Sequence, residues 1–555
     1  ANSLTLKPGT DGDVTFNGVT GGTIPLTQLT VGTTSSTGDV TLSGDVNTAG
    51  AITIYGGGIS LNENITTSTA SNISLYAKNN INTDSTGVTI ETAGGDILFN
   101  SNTDGNGGAI NLDRATVESN GGDISLVGGS DGSGFAQGIN TDEITGLSVQ
   151  TKLKGIFLNG TYLDATGSSA GGDILLRGKG WQGVANTTNS LFPIGIDIVS
   201  YNNDGNTRGS KIITNNSGTI NLNGIGGNQN NNTAHNVGIN FFSNSGTANT
   251  ISSGSGNIDI SATAGTTTLN NGTRAGFNLD GGVASIYSSS GNVTIEGIAG
   301  SSLDTGIRSA ATMNIGWDGT NPGTSGDITL TTDSISSSSL ISFKGTGALS
   351  VEPYDDDFDS NLSWSNITTS SDITELTIGK ASSADGTNDV DVTIGSAASV
   401  SGPVTIYSDD ITLNAALTAA SGSSLLTGKL AGASDFTQTT GTLTVSATGN
   451  STYSGAIAGN GNFTKSGSGT LTLDGTNVYT GDTTVSAGTL TLTLTEALAN
   501  STDLIISSGA TFDLQATQTV ASLDLDGTIS KSVGSSSLTV SGASDIGGDI
   551  TTSGA

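Results

Sequence analysis

The sequence of 555 residues contains no cysteine, six prolines and one histidine. Without cysteine the chain can form neither a disulfide nor a thiolate metal site. The single imidazole, His235, would have to serve any catalytic triad. Since one histidine alone makes no site, we interpret His235 as a solvated loop residue.

Charge and long apolar runs are also scarce. Charged residues make up 12% of the chain, and its net charge is −32. An acidic surface without clustered Lys and Arg repels phosphate backbones, which excludes nucleic-acid binding. No apolar run approaches the roughly 18 residues of a membrane-spanning helix.

The chain is rich in glycine, with 84 residues, and it repeats a short unit. The unit is Gly-(Asp/Asn)-(Ile/Val)-x-(Leu/Ile/Phe). The first apolar residues Ile258, Val293 and Ile328 follow one another at intervals of 35, whereas Ile97 and Ile124 are 27 apart. Copies of the unit begin at Gly12, Gly38, Gly95, Gly122, Gly172, Gly256, Gly291 and Gly326.

The unit predicts a short strand after a tight corner. We expect glycine to supply a positive φ at the corner and Asp or Asn to bond its own backbone. The alternating apolar residues then face one side of the strand. Such short strands bury a core by stacking coil on coil, so the sequence predicts an elongated all-β solenoid with loop excursions. A set of β-sandwich domains, with longer strands, is the alternative.

Three regions of the chain differ in their repeat pattern. Residues 1–350 carry the repeats with loop insertions, including loops at 178–216 and 226–236. Residues 351–430 form a junction with an acidic loop and continuing β-helix. Residues 431–555 carry a different unit, G-T-L-T-(L/V), at Gly441, Gly469 and Gly488. The chain ends as a motif begins, so we expect it to be truncated there.

The stretch TKSGSGTLTLDGTNVYTGDTTVSAGTLTL, residues 464–492, resembles the passenger-associated repeat of bacterial autotransporters. Lys465 and Gly467 precede a G-T-L-x-L strand, and Tyr479 stands in the T-Y-x-G-x-T element. Val478 departs from the usual Asn-Thr before the tyrosine. The resemblance covers residues 441–541 approximately.

Residues 1–430, with their recurring A-G-G-D-I-x-L and the segment GTGALSVEPYDDD, are similar to filamentous-haemagglutinin-like exoproteins. Both resemblances imply a right-handed parallel β-helix that type V secretion exports to the bacterial surface. They also imply that a signal sequence, and for an autotransporter a membrane barrel, is missing. No catalytic residue of either family maps onto this chain.

Calcium is the one metal that the sequence suggests. DDDFD places four carboxylates within five residues, and hard cations prefer such oxygen ligands. A solvated acidic loop is the alternative interpretation, and no other cofactor is predicted. The candidate ligands are Asp355, Asp356, Asp357 and Asp359.

One candidate glycan contact stands out. Trp181 follows Arg177 and Lys179 closely, and indole rings stack on sugar faces. A loop anchored by a buried tryptophan is the alternative interpretation.

Together these features predict a non-enzymatic structural or adhesive rod of a large surface exoprotein. We expect it to present loops to host or neighbouring cells, or to glycans, without inserting into a membrane. Two other functions stay open: a glycan-active β-helix enzyme, either lyase or glycosidase, and a receptor-free surface-layer component.

Overall fold

The computed structural model describes residues 2–84, 87–139, 153–182, 192–203, 206–228, 235–243, 247–266, 273–301, 304–320, 323–381, 390–532 and 535–552. These residues form short strands joined by turns, and none of them belongs to an α-helix. No helix in this part of the chain is therefore long and apolar enough to cross a membrane. The chain divides into two compact units, residues 1–341 and 342–555.

The first unit contains three stacks of parallel strands, and successive strands of each stack pair with one another. Stack 1 contains Ser3–Leu6, Gln28–Val31, Ile52–Gly56, Ile73–Ala77, Ile97–Ser101, Ile124–Gly128, Ile174–Lys179, Ile220–Ile225, Ile258–Thr263, Val293–Ile298 and Ile328–Thr332. Stack 2 contains Val14–Phe16, Val40–Leu42, Ile59–Leu61, Ile81–Thr83, Ile110–Asp113, Ile156–Asn159, Ile196–Val199, Ile239–Phe242, Ala275–Leu279, Thr305–Ser309 and Ile335–Ser337. Stack 3 contains Val46–Thr48, Ile65–Thr67, Thr89–Glu91, Thr116–Glu118, Tyr162–Asp164, Lys211–Ile213, Asn249–Ser253, Val283–Ser288 and Thr312–Ile315.

Three short strands supplement these stacks. Ala136–Gln137 pairs in parallel with the end of Ile174–Lys179. Tyr201–Asn203 and Asn206–Arg208 form an antiparallel hairpin. Residues 183–191, 204–205 and 229–234 of the predicted loops lie outside the described residues.

The second unit is built in the same way from four stacks. Stack 4 contains Ala348–Glu352, Glu375–Ile378, Val404–Tyr407, Ser423–Thr427, Thr442–Ala447, Asn462–Ser466, Thr483–Val485, Asp503–Ile506, Ser522–Leu525 and Ser544–Ile546. Stack 5 contains Leu362–Ser363, Val392–Ile394, Asp410–Leu413 and Lys429–Gly432, and stack 6 contains Ala398–Val400, Leu417–Ala419, Phe436–Gln438 and Ile457–Ala458. Stack 7 contains Ser451–Tyr453, Thr470–Leu473, Thr489–Leu492, Thr511–Leu514, Thr528–Lys531 and Asp549–Thr552. The remaining strands are Gln518–Val520, which pairs with Leu538–Val540, and Ile341–Phe343 and Ile367–Thr369.

The spacing of the repeats is the length of a coil. Ile258 pairs with Val293, and Val293 pairs with Ile328, so each interval of 35 residues is one turn of the winding. All three side chains are buried in the core. Each unit is therefore a parallel β-solenoid, and the predicted fold class is confirmed.

The same local unit serves two different stacks. Most copies begin strands of stack 1, but the two most N-terminal copies begin strands of stack 2, where Val14 pairs with Val40. In the second unit, Leu471 pairs with Leu490, whereas Leu443 lies in stack 4. The interval of 28 residues between Gly441 and Gly469 therefore joins different stacks.

The glycines of the unit serve close packing, and the predicted role at a positive φ is wrong. Gly122 and Gly172 are absent from the residues with positive φ. A Cβ added to Gly122 would instead lie 2.3 Å from the carbonyl oxygen of Gly95, one coil earlier. Added to Gly326, it would lie 2.2 Å from the oxygen of Gly291. Only glycine lets successive corners approach this closely.

The Asp or Asn of the unit also acts between coils. We predicted a bond to its own turn. Instead Asp96 Oδ1 accepts from the backbone N–H of Asp123 at 3.0 Å, and Asp123 Oδ1 accepts from the N–H of Asp173 at 2.8 Å. Asn257 and Asn292 extend the pattern, since Asn257 Oδ1 accepts from the N–H of Asn292 at 3.0 Å. Each acidic or amide side chain thus satisfies a corner N–H of the next coil.

Glycine at the corner should be far less replaceable than glycine elsewhere. We expect Gly122→Ala to lower the free energy of unfolding by about 1–3 kcal/mol, because its Cβ would overpack the preceding coil. Gly18→Ala is the control, since no atom lies within 4 Å of the added Cβ. It should be neutral or stabilising. Urea unfolding of both variants measures the difference, and equal stability would contradict the close-packing argument.

Candidate functional site

A cleft of about 450 Å³ opens beside stack 2 in the first unit. Three successive strands, Ile156–Asn159, Ile196–Val199 and Ile239–Phe242, and the segments before them supply most of its lining. We call it the aromatic cleft. It is lined by Lys154, Phe157, Phe192, Ile194, Asp197, Val199, His235, Val237, Asn240, Phe242 and Asp280.

Strand register places three unlike side chains in one row. Phe157 pairs with Asp197, and Asp197 pairs with Asn240. The neighbours Ile196 and Ile198 are buried in the core. Since successive side chains of a strand point to opposite faces, the row faces away from the core and into the cleft.

A second repeated unit, which the sequence analysis missed, produces this row. Gly-(Ile/Phe)-x-(apolar) occurs as GIFL, GIDI, GINF and GFNL, which begin at Gly155, Gly195, Gly238 and Gly276. The third residue of each copy is the one that lies in the row: Phe157, Asp197, Asn240 and Asn278. The signal is hard to find because the intervals are irregular: 40, 43 and 38 residues.

Aromatic rings form much of the cleft surface. The rings of Phe192 and His235 stack with centroids 4.5 Å apart and planes inclined by 25°. The ammonium of Lys154 lies 3.9 Å from the centroid of the Phe157 ring, a cation–π contact. Phe242 is half-buried. The cleft therefore offers apolar ring surface beside charged groups.

A chain of hydrogen bonds runs along the row. Lys154 Nζ lies 2.5 Å from Asp197 Oδ2, and Asp197 Oδ1 accepts from Asn240 Nδ2 at 2.7 Å. Asn240 Oδ1 accepts from Asn278 Nδ2 at 2.6 Å. Arg308 ends the chain by donating to Asn278 Oδ1 at 2.8 Å. Each buried polar group thus has a partner, which buried polar groups require.

The electrostatic state of His235 follows from its packing. Burial lowers the pKa of its imidazole below the ordinary value of 6.5, and Arg308 lowers it further. Asp280 and Asp197 act in the opposite direction. His235 lies in a loop, as the sequence indicates, but it is half-buried against Phe192 and not fully solvated.

The single histidine allows a direct test of this packing. We expect the imidazole proton resonances in an NMR titration to give a pKa below 6.5. Phe192→Ala exposes the ring to water and should move the pKa up towards 6.5. Tyr55→Ala, at a residue that does not line the cleft, is the control. An unperturbed pKa in the parent chain would contradict the stacked arrangement.

A second cleft, of about 570 Å³, lies beside stack 1. Tyr55 and Tyr76, on adjacent strands, stack with centroids 4.8 Å apart and planes inclined by 12°. Burial, and then the charge of Tyr76, raise the pKa of Tyr55. Lys78, Asp104 and Asp131 also line this cleft. It lacks the buried charges of the aromatic cleft.

The predicted glycan residues lie elsewhere. Arg177 and Lys179 are half-buried on the strand Ile174–Lys179, and the Arg177 guanidinium donates to the carbonyl of Ser133. Trp181 is half-buried, and its backbone N–H donates to the carbonyl of Leu153 at 2.9 Å. None of the three lines the aromatic cleft, and their role as a glycan contact stays a prediction.

The predicted calcium ligands differ in their exposure to solvent. Asp357 is buried, whereas Asp355, Asp356 and Asp359 are exposed. Within the part of the chain that the structure describes, their carboxylate oxygens do not come together as a group of possible metal ligands. Calcium binding by this loop stays a prediction.

Another acidic group does converge in the second unit. Asp391, Asp409 and Asp410 bring carboxylate oxygens within 4.8 Å of one another. Lys429 Nζ lies 2.9 Å from Asp410 Oδ2. The lysine ammonium thus already offsets part of the negative charge.

Lys465 occupies a core position in the second unit. Its side chain is 0% exposed, and its ammonium donates to the carbonyls of Ser466, Gly467 and Ala487 at 2.7, 2.8 and 3.2 Å. Burial lowers the pKa of Lys465 to about 8. The resemblance named Lys465 as a motif position, and the structure shows that it ties two successive coils together.

The comparisons with known proteins point to the same segment. Residues 463–497 match the family model Passenger-associated-transport-repeat. No curated protein and no solved structure matches the chain. The match includes Lys465, Tyr479 and both strands of the motif, Thr470–Leu473 and Thr489–Leu492. These 35 residues make this segment of the chain similar to the repeat that the family model describes.

Proposed function

We propose that the chain is a non-catalytic structural and adhesive part of a large bacterial surface exoprotein exported by type V secretion. The observation that carries the proposal is the passenger repeat at residues 463–497. Such a repeat implies a secreted or surface location in general. The resemblance of residues 1–430 to filamentous-haemagglutinin-like exoproteins, which rests on the sequence motifs alone, implies the same location.

We further propose that the aromatic cleft is the adhesive site and that a saccharide is its ligand. Phe157 and Phe242 offer ring faces, on which the C–H faces of a sugar can pack. Asp280, which is exposed at the edge of the cleft, offers carboxylate oxygens beside them for hydroxyls. A mostly apolar pocket with a few placed polar groups is the usual form of a small-ligand site.

The side chains of the cleft favour binding over catalysis. Glycosidases need two carboxyl groups with separate roles across the scissile bond. Here Asp197 is paired with Lys154 at 2.5 Å, and Asp280 with Arg308 at 3.0 Å. Both carboxylates are ion-paired within the protein, so neither is left as an independent acid for the oxygen of a glycosidic bond.

A glycan screen tests the adhesive role. We expect the full chain to bind members of an immobilised glycan panel, and Phe242→Ala to weaken that binding by about tenfold, because it removes one stacking face. Tyr407→Ala, at another half-buried surface ring, is the matched control. It should bind like the parent chain.

The same panel separates the alternatives. Incubation with the polysaccharides should release no reducing ends and no unsaturated uronates, and their appearance would establish a glycan-active enzyme. Absence of binding to every glycan and to whole cells would contradict adhesion and favour a receptor-free surface-layer component.

A further inference from the structure

Three side chains in the wall of the aromatic cleft have the arrangement of a reaction centre. Asp197 lies between an amine and a primary amide. Its Oδ2 is 2.5 Å from Lys154 Nζ, and its Oδ1 accepts from Asn240 Nδ2 at 2.7 Å. One carboxylate therefore contacts both a nucleophile and the leaving group of an amide.

The three side chains are shielded from water. Lys154, Asp197 and Asn240 are 8%, 3% and 8% exposed. The ring of Phe157 covers the ammonium of Lys154. In such surroundings, hydrolysis of a reactive intermediate is suppressed and proton transfer between fixed partners is favoured.

The amide of Asn240 is also polarised in the direction that attack requires. Asn278 Nδ2 donates to Asn240 Oδ1 at 2.6 Å, so a donor is aimed at the oxygen that would gain negative charge. Arg308 holds Asn278 by donating to its Oδ1 at 2.8 Å. Strand register fixes this order, because Asn240 pairs with Asn278 and Asn278 with Arg308.

We propose that Lys154 and Asn240 condense to an intramolecular isopeptide bond. Asp197 accepts a proton from the Lys154 ammonium, and the neutral Nζ attacks Asn240 Cγ. The Nζ–Cγ bond forms and the Cγ–Nδ2 bond breaks. Asp197 returns its proton to Nδ2, and ammonia leaves with the second amine proton as ammonium. Atoms and charge balance without any co-reactant.

Two other described lysines with close partners, Lys465 and Lys429, lack one or more of these parts. Lys465 is buried, but its ammonium donates to three backbone carbonyls. Lys429 pairs with Asp410, but its side chain is 54% exposed. They serve as internal controls, since both should stay unmodified.

The product would tie successive coils of the first unit together. Lys154 precedes the strand Ile156–Asn159, and Asn240 lies in the strand Ile239–Phe242, two coils later. The bond would therefore span the intervening strand Ile196–Val199. A covalent bond across three coils constrains the unfolded chain. This inference does not depend on the proposed saccharide binding.

Mass spectrometry of the denatured full chain tests the proposal. We expect an intact mass about 17 Da below the sequence mass, because one ammonia is lost on forming the bond. Tryptic digestion should leave Lys154 uncleaved and yield a branched peptide of residues 153–177 joined to 212–274. The parent chain needs no variant for this measurement, so a folding defect cannot obscure it.

Variants assign the roles. Lys154→Arg keeps the positive charge and Asp197→Asn keeps the shape, and both should restore the full sequence mass. An unchanged mass in the parent chain, with trypsin cleaving after Lys154, would overturn the proposal. A loss of about 18 Da, which means condensation with a carboxylate and release of water, would overturn the assignment to Asn240.

Discussion

In-register pairing of each strand with its equivalent one coil away is the interaction on which the rest of the structure depends. It aligns apolar residues such as Ile258, Val293 and Ile328 in a dry column. A core this narrow needs few apolar residues, which accounts for a hydrophobic content of only 33%. The same register decides which outward side chains become neighbours.

The contacts of Lys465 and the composition of the aromatic cleft both follow from that register. Lys465 reaches carbonyls of its own coil and of the next one because the coils repeat at strand spacing. Phe157, Asp197 and Asn240 meet because they hold the same position in three coils. Phe192 and His235, which precede two of these strands, line the same cleft. A regular scaffold thus assembles an irregular cleft from residues far apart in the chain.

The sequence predicted the fold correctly, because short Ile-x-Leu strands between corners bury their apolar side chains when successive coils stack. The predicted roles of glycine and aspartate at the corner were wrong. Gly122 and Asp123 contact neighbouring coils, and the sequence of one repeat unit does not show how close those coils lie. The cleft was missed for the same reason. Coil length varies with loop insertions, so spacing does not show that Phe157 and Asp197 are neighbours until the strands are aligned.

The central claim can be tested with paired cysteines, since the natural chain has none. Asp259 pairs with Thr294, and Thr294 with Thr329. Cysteines at 259 and 294 would lie about 4.8 Å apart, within disulfide reach, whereas cysteines at 259 and 329 would lie two coils apart. The account predicts that mild oxidation closes the first pair and leaves the second pair open. Closure of the second pair, or failure of the first, would contradict in-register coil stacking.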